Sequence, residues 1–171
     1  MQYAVALDRI EARIRALQDL DAIETLKARY WRAIDRRRPD DVAACLAEDV
    51  SVDFETLPRY QGRVAFMGMV RQAAKQAQVF GMHHGQNPAI TLTGPDDAAG
   101  EWDVFYYGID AASGILTQMG GVYRDAYRRI DGRWVVSKMI MRMNSLHVQK
   151  VDGRVSTLVL GRPPEGGPAK L

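Results

Sequence analysis

The spacing of apolar residues changes once along this chain, and that change limits the folds open to it. In the first third they recur every three or four residues. Leu7, Ile10, Ile14 and Leu17 form one stripe, and Ile23, Leu26, Tyr30, Ala33 and Ile34 form a second; both have the spacing of amphipathic helices. Asp19 or Asp21 is placed to cap the second helix, with Glu24 three residues after Asp21 as in a capping box. Arg36, Arg37, Arg38 and Pro39 close it, and a short helix is predicted near residues 40–47. The period then drops to two: Val50, Val52 and Phe54 alternate with Ser51 and Asp53, as in a half-buried strand. After a turn at Pro58–Gly62 and a helix predicted over residues 64–76, the remaining signals are for strands over 79–92, 100–110, 115–130 and 133–148. Asp131-Gly132 is a hairpin turn, and Gly120-Gly121 predicts a bulge or sharp bend. Residues 151–160 read as one more strand, and 161–171, rich in Gly and Pro, as a mobile tail.

Helices first and antiparallel strands after is an α+β order. The expected architecture is a cone-shaped α+β barrel, with N-terminal helices packed on a strongly curved, mainly antiparallel sheet that encloses an apolar cavity. The 171 residues fit one domain over 1–148 and a C-terminal extension, partly flexible, over 149–171.

Charge and cysteine content narrow the partners. Lys and Arg total 23 and Asp and Glu 21, a net charge of +2, which argues against nucleic acid or an anionic membrane as the main partner. The longest apolar runs are far too short to span a bilayer. Asp8, Glu11 and Arg13 near the start do not fit a secretory signal. The single cysteine, Cys45, has no internal disulfide partner and lies in the apolar run Val42–Leu46, so it is read as a buried filler. A reducing, cytoplasmic location follows as the expectation.

Three segments carry a resemblance. They are Ala28-Arg29-Tyr30-Trp31-Arg32-Ala33-Ile34-Asp35, then Met82-His83-His84-Gly85-Gln86-Asn87, and the stretch Gly120–Tyr127 followed by Asp131-Gly132-Arg133-Trp134 and Ser137-Lys138. Over roughly residues 5–148 the chain resembles the SnoaL-like branch of the nuclear transport factor 2-like superfamily, and within it the hexachlorocyclohexane dehydrochlorinase and bile-acid dehydratase types. The closing hairpin is common to the superfamily and implies only the fold. The pairing of Asp35 with His83 is more specific. It implies His83 as the base that removes a proton and Asp35 as the carboxylate that orients it, with no metal and no cofactor. An imidazole titrates near ~6.5 and is free base at neutral pH.

Strand alternation puts Trp102, Val104 and Tyr106 on one face, which the resemblance turns into the cone. Met139, Met141 and Met143 share a face of the last strand, with Met119 expected near them. Tyr30 lies on the core stripe of its helix. Tyr30 and Asp35 are about 140° apart on an ideal helix, so both border one cavity only if the helix ends or bends at Asp35. The chain departs from its relatives where the dehydratase pattern has Tyr and Asp, here Phe54 and Tyr106, and where the dehydrochlorinase pattern has Arg, here Met139. Arg142 is near, on the opposite parity. The base is therefore carried over and the leaving-group acid is not; Tyr106 or Tyr30 is the available proton donor.

Other readings stand beside this one. His83 on a strand fits a structural role, Asp35 a solvated helix end paired with Arg32 or Arg38, and the methionines an ordinary core. Three functions remain in play: a cofactor-independent lyase for a small hydrophobic cyclic molecule, a polyketide cyclase or isomerase using the same base, and a non-catalytic ligand-binding or assembly subunit. A homo-oligomer, dimer or trimer, is expected.

Overall fold

The computed structural model describes residues 2–150. No Gly or Pro interrupts the chain before Pro39, and Gln2–Asp35 forms one 34-residue helix, α1. This corrects the expectation of two helices. What changes near residue 19 is the side of the helix that is apolar, not the backbone. Asp19 does not cap a helix there; its Oδ1 accepts a hydrogen bond from Trp134 Nε1 at 3.0 Å and lies 2.7 Å from Arg129.

Helix α2 (Pro39–Ala43) is shorter than expected, because strand β1 (Leu46–Phe54) begins earlier. A two-residue strand, β2 (Tyr60–Gln61), pairs antiparallel with β1 and gave no sequence signal. Helix α3 (Arg63–Ala74) follows Gly62, whose φ of 85° suits glycine. The four long strands are β3 (Val79–Leu92), β4 (Asp97–Asp110), β5 (Ile115–Ile130) and β6 (Arg133–Lys150). The strand expected at 151–160 lies outside the described residues.

The sheet order is β2-β1-β6-β5-β4-β3, with β1 parallel to β6 and every other pair antiparallel. The sheet is mixed, mainly antiparallel and not closed on itself, and with the helices packed on it the fold is the expected cone-shaped α+β one. Because β1 joins β6 through most of the chain rather than through a hairpin, no turn forces that pair antiparallel. The β5–β6 hairpin turns at Asp131 and Gly132, with φ of 50° and 74°, the signature of a type I′ turn. The register shifts at Gly120/Gly121, the expected bulge.

The core fills the space between the second half of α1, α3 and the concave sheet face. Ile23, Leu26, Phe66, Val52, Val136 and Met139 are all buried there. Among the described residues, no helix is long and apolar enough to cross a membrane.

Candidate active site

The C-terminus of α1 is built to hold a side chain in place. Arg38 N–H bonds to Ala33 O at 2.9 Å and Arg37 N–H to Ile34 O at 3.0 Å, while Arg37 takes a φ of 54°. This is a Schellman closure with arginine where glycine is usual. Its guanidinium donates to the carbonyls of Ala77, at 3.3 Å, and Val79, tying the end of α1 to the start of β3. Asp35, the last residue of α1, faces His83, four residues into β3.

Asp35 Oδ1 lies 2.6 Å from His83 Nδ1, and Oδ2 accepts the backbone N–H of the same residue at 3.0 Å. One carboxylate therefore fixes both the ring and the strand that carries it. The His83 and Asp35 side chains keep 15% and 17% of their surface exposed, enough for a ligand to reach the imidazole. With Nδ1 as donor to Asp35, Nε2 carries the lone pair.

His83 opposes Tyr106 across the β3–β4 pair, with ring centroids 4.8 Å apart. The Tyr106 phenol lies over two glycines that also face each other, Gly81 and Gly108: a Cβ on either would come within 2.5 Å of its hydroxyl. Burial, and then the charge of Asp35, raise the Tyr106 pKa above its ordinary value, so its proton stays on at neutral pH.

These groups border an apolar cavity of about 470 Å³, within the range of small-molecule sites, about 300–1,000 Å³. Of the residues singled out from sequence, Tyr30, Asp35, Phe54, His83, Tyr106, Met119 and Met141 line it. Tyr30 and Asp35 meet there because the helix ends at Asp35. Tyr30 is almost fully buried, and desolvation, followed by Tyr123 and Asp125, holds its phenol well above the usual value.

Four expected residues are elsewhere. Met139 is fully buried in the core and Val104 nearly so. Trp102 donates to Tyr127 Oη at 2.8 Å and borders a separate, more polar cleft of about 520 Å³ with Trp31, Arg32 and His84. Arg142 turns away and pairs with Asp53 at 2.8 Å, as its parity requires. His83 borders both spaces.

Arg37, Gly81, Phe66, Leu57 and Met69 also line the cavity and were not anticipated. The apolar side of α3 carried a signal for Phe66; nothing local marks Gly81 or Arg37. Beneath the cavity lies a second missed group. Lys27 Nζ pairs with Asp125 Oδ2 at 2.6 Å, both fully buried, and faces the rings of Tyr123, Trp31 and Tyr30 at 3.9, 4.7 and 5.2 Å. Desolvation lowers the lysine pKa and raises that of the aspartate, each opposed by its partner. The inward parity of Tyr123, Asp125 and Tyr127 was the available signal. Cys45 is buried, and burial pushes its thiol up. Among the described residues no three His, Cys, Asp or Glu side chains gather as a metal site requires.

Comparison with known proteins agrees with this architecture. A profile of the SnoaL-like domain matches residues 15–140. Hexachlorocyclohexane dehydrochlorinase 1 of Sphingobium indicum is 26% identical over 140 residues, spanning 81% of this chain and 85% of its own. Among solved structures, hexachlorocyclohexane dehydrochlorinase type 3 from Novosphingobium barchaimii superposes with a TM-score of 0.73 at 23% identity, covering 85% of this chain and 99% of that one. A candidate scytalone dehydratase from Novosphingobium aromaticivorans gives 0.72 at 21% identity, covering 83% and 97%.

Proposed function

The chain belongs to the SnoaL-like domain family, and from that premise we propose that it is a cofactor-independent lyase. It performs a β-elimination, of the dehydratase or dehydrohalogenase type, on a small hydrophobic cyclic molecule. The observation that carries this reading is the 2.6 Å contact of His83 Nδ1 with Asp35 Oδ1 at the wall of an apolar cavity. The relatives' names add support, since dehydrochlorinase and dehydratase both denote loss of a small acid or water from neighbouring carbons.

In this mechanism His83 Nε2 takes a proton from carbon and Asp35 stabilises the resulting imidazolium. The electron pair of the broken C–H bond forms the new double bond, and the C–X bond breaks. Where the leaving group is hydroxide, Tyr106 gives it a proton to form water. The imidazolium proton then returns to the phenolate, which restores both residues; where the leaving group is halide, it departs as the anion and the imidazolium proton passes to solvent. The cavity supplies a dry, apolar enclosure in which each of these charges is felt more strongly than in water.

The test is turnover of a panel of chlorinated and hydroxylated alicyclic compounds followed by mass spectrometry. Loss of HCl or water by the wild type, abolished in His83→Ala with the fold retained, is the expected result. Turnover with unchanged substrate mass would instead favour the cyclase or isomerase reading with the same base. Full activity in His83→Ala would remove the histidine from the chemistry.

A further inference from the structure

Every described side chain from Tyr3 to Arg15 is exposed, so the first half of α1 stands clear of the domain. Its apolar residues are not scattered. Tyr3, Leu7, Ile10, Ile14 and Leu17 are 49–88% exposed and spaced 4, 3, 4 and 3 residues apart, the a/d seam of a coiled coil. At about 100° per residue this seam lies nearly half a turn around α1 from the buried residues Ile23, Leu26, Lys27 and Tyr30. The domain's own core therefore cannot cover it, however the helix tilts. A projecting helix of this length is marginal in water without a partner.

We propose that this seam pairs with the same seam of a second copy, as a parallel two-stranded coiled coil that makes the protein a dimer. Leu7 and Ile14 then fill the a layers and Tyr3, Ile10 and Leu17 the d layers. Layer matching selects the orientation. In parallel register all five layers pair, and Arg13 faces Gln18 of the partner and Ala6 faces Glu11, without repulsion; an antiparallel register pairs at most four of the five seam residues. Asp21 occupies the next a position and ends the seam where the domains begin.

Pairing five such side chains from each copy removes on the order of 1,000 Å² from water, the lower bound for a specific interface. A two-fold axis matches the seam to itself without needing any second complementary surface. A membrane is a poor occupant, because residues 3–21 carry Asp8, Glu11, Asp19 and Asp21 against Arg9, Arg13 and Arg15, and interfacial helices are basic.

The experiment is the mass in solution of the full chain, by sedimentation equilibrium between 1 and 100 µM. The wild type is expected to be a dimer. Ile10→Glu/Ile14→Glu is expected to weaken it at least 100-fold, with an unchanged near-ultraviolet circular dichroism spectrum, since both positions are exposed. Ile10→Cys is expected to cross-link to itself on mild oxidation. A monomeric wild type, its seam left to another protein or to residues 151–171, would overturn the proposal. So would a dimer indifferent to the double substitution, or one whose Ile10→Cys variant fails to cross-link. None of these readouts depends on activity, so the elimination chemistry stands or falls separately.

Discussion

Asp35 offers one oxygen to the His83 ring and the other to the His83 backbone N–H, at 2.6 and 3.0 Å. The backbone contact allows only an acceptor, and this decides what an amide would do in its place. In Asp35→Asn the amide oxygen takes the backbone N–H, and the NH₂ group then faces Nδ1. Nδ1 must become the acceptor, and the ring proton moves to Nε2, where the base is needed. The expected result is a fall in kcat of about 10²- to 10⁴-fold with the fold intact by circular dichroism. A variant within threefold of wild type would show that the tautomer is irrelevant.

Gly81 and Gly108 aim the Tyr106 phenol. A methyl group on Gly81 would lie 2.5 Å from the hydroxyl, and the free end of a side chain yields before the backbone does. Gly81→Ala is therefore expected to keep its stability and lose roughly 10- to 100-fold in kcat, and the same loss is expected of Tyr106→Phe. The combined variant should lose no more than either alone, because both changes remove the same group. Additive losses in the cycle would mean that Gly81 acts through something other than Tyr106.

How much of this was legible in the sequence depends on the range of the signal. Alternation located β3 to β6, and Asp131-Gly132 fixed the hairpin, because strand period and turn chemistry are local. The two-residue β2 and the parallel β1–β6 pairing have no local signature. Helix α1 was divided in two because its apolar side switches near Asp19, and a pattern read for one core could not distinguish a bend from a second, outward-facing seam. The contact between Asp35 and His83 joins residues 48 apart; resemblance suggested it, and spacing could not. Parity assigned Trp102 and Val104 to the inward face of β4 but could not separate packed core from cavity wall.

Gly85 holds a different kind of space. A Cβ there would fall 1.9 Å from the Trp31 ring, which is buried and packed edge-on against Trp102 and Tyr123. Those two rings hold Trp31 in place, so Gly85→Ala overpacks this contact at a cost of about 1–3 kcal/mol. Thermal unfolding should show the midpoint falling by about 2–4 °C per kcal/mol for a chain of this size. An unchanged midpoint would mean that Trp31 has another place to go.

Arg142, expected in the cavity, instead stabilises the fold in a pH-dependent way. Its hydrogen bond, and secondarily Arg59, hold the Asp53 carboxyl below its ordinary value of 3.8. A carboxylate whose pKa is lower in the folded state stabilises above its unfolded value and loses that contribution as pH falls through the folded one. The stability difference between wild type and Arg142→Gln, from urea unfolding, should be largest above pH 5 and shrink below pH 3.8. A gap independent of pH would assign Arg142 a packing role alone.

The Lys27–Asp125 pair tests the floor under the cavity. Both side chains are fully buried; burial shifts each toward its neutral form, and the partner 2.6 Å away opposes that shift. The Tyr127 hydroxyl also donates to Asp125 Oδ2, at 2.9 Å, so the aspartate joins Lys27 of α1 to a second side chain of its own strand. Removing one partner leaves the other without compensation, and Lys27→Met or Asp125→Asn alone should each cost about 3–5 kcal/mol. Removing both leaves a neutral methionine beside an amide that still accepts from Tyr127, and the surrounding rings suit the methionine thioether. The double variant should therefore be more stable than the sum of the single losses predicts, by at least about 1 kcal/mol. Urea unfolding of the four proteins measures this directly. Simple additivity would mean that the two side chains are independent and that the observed contact contributes nothing to the fold.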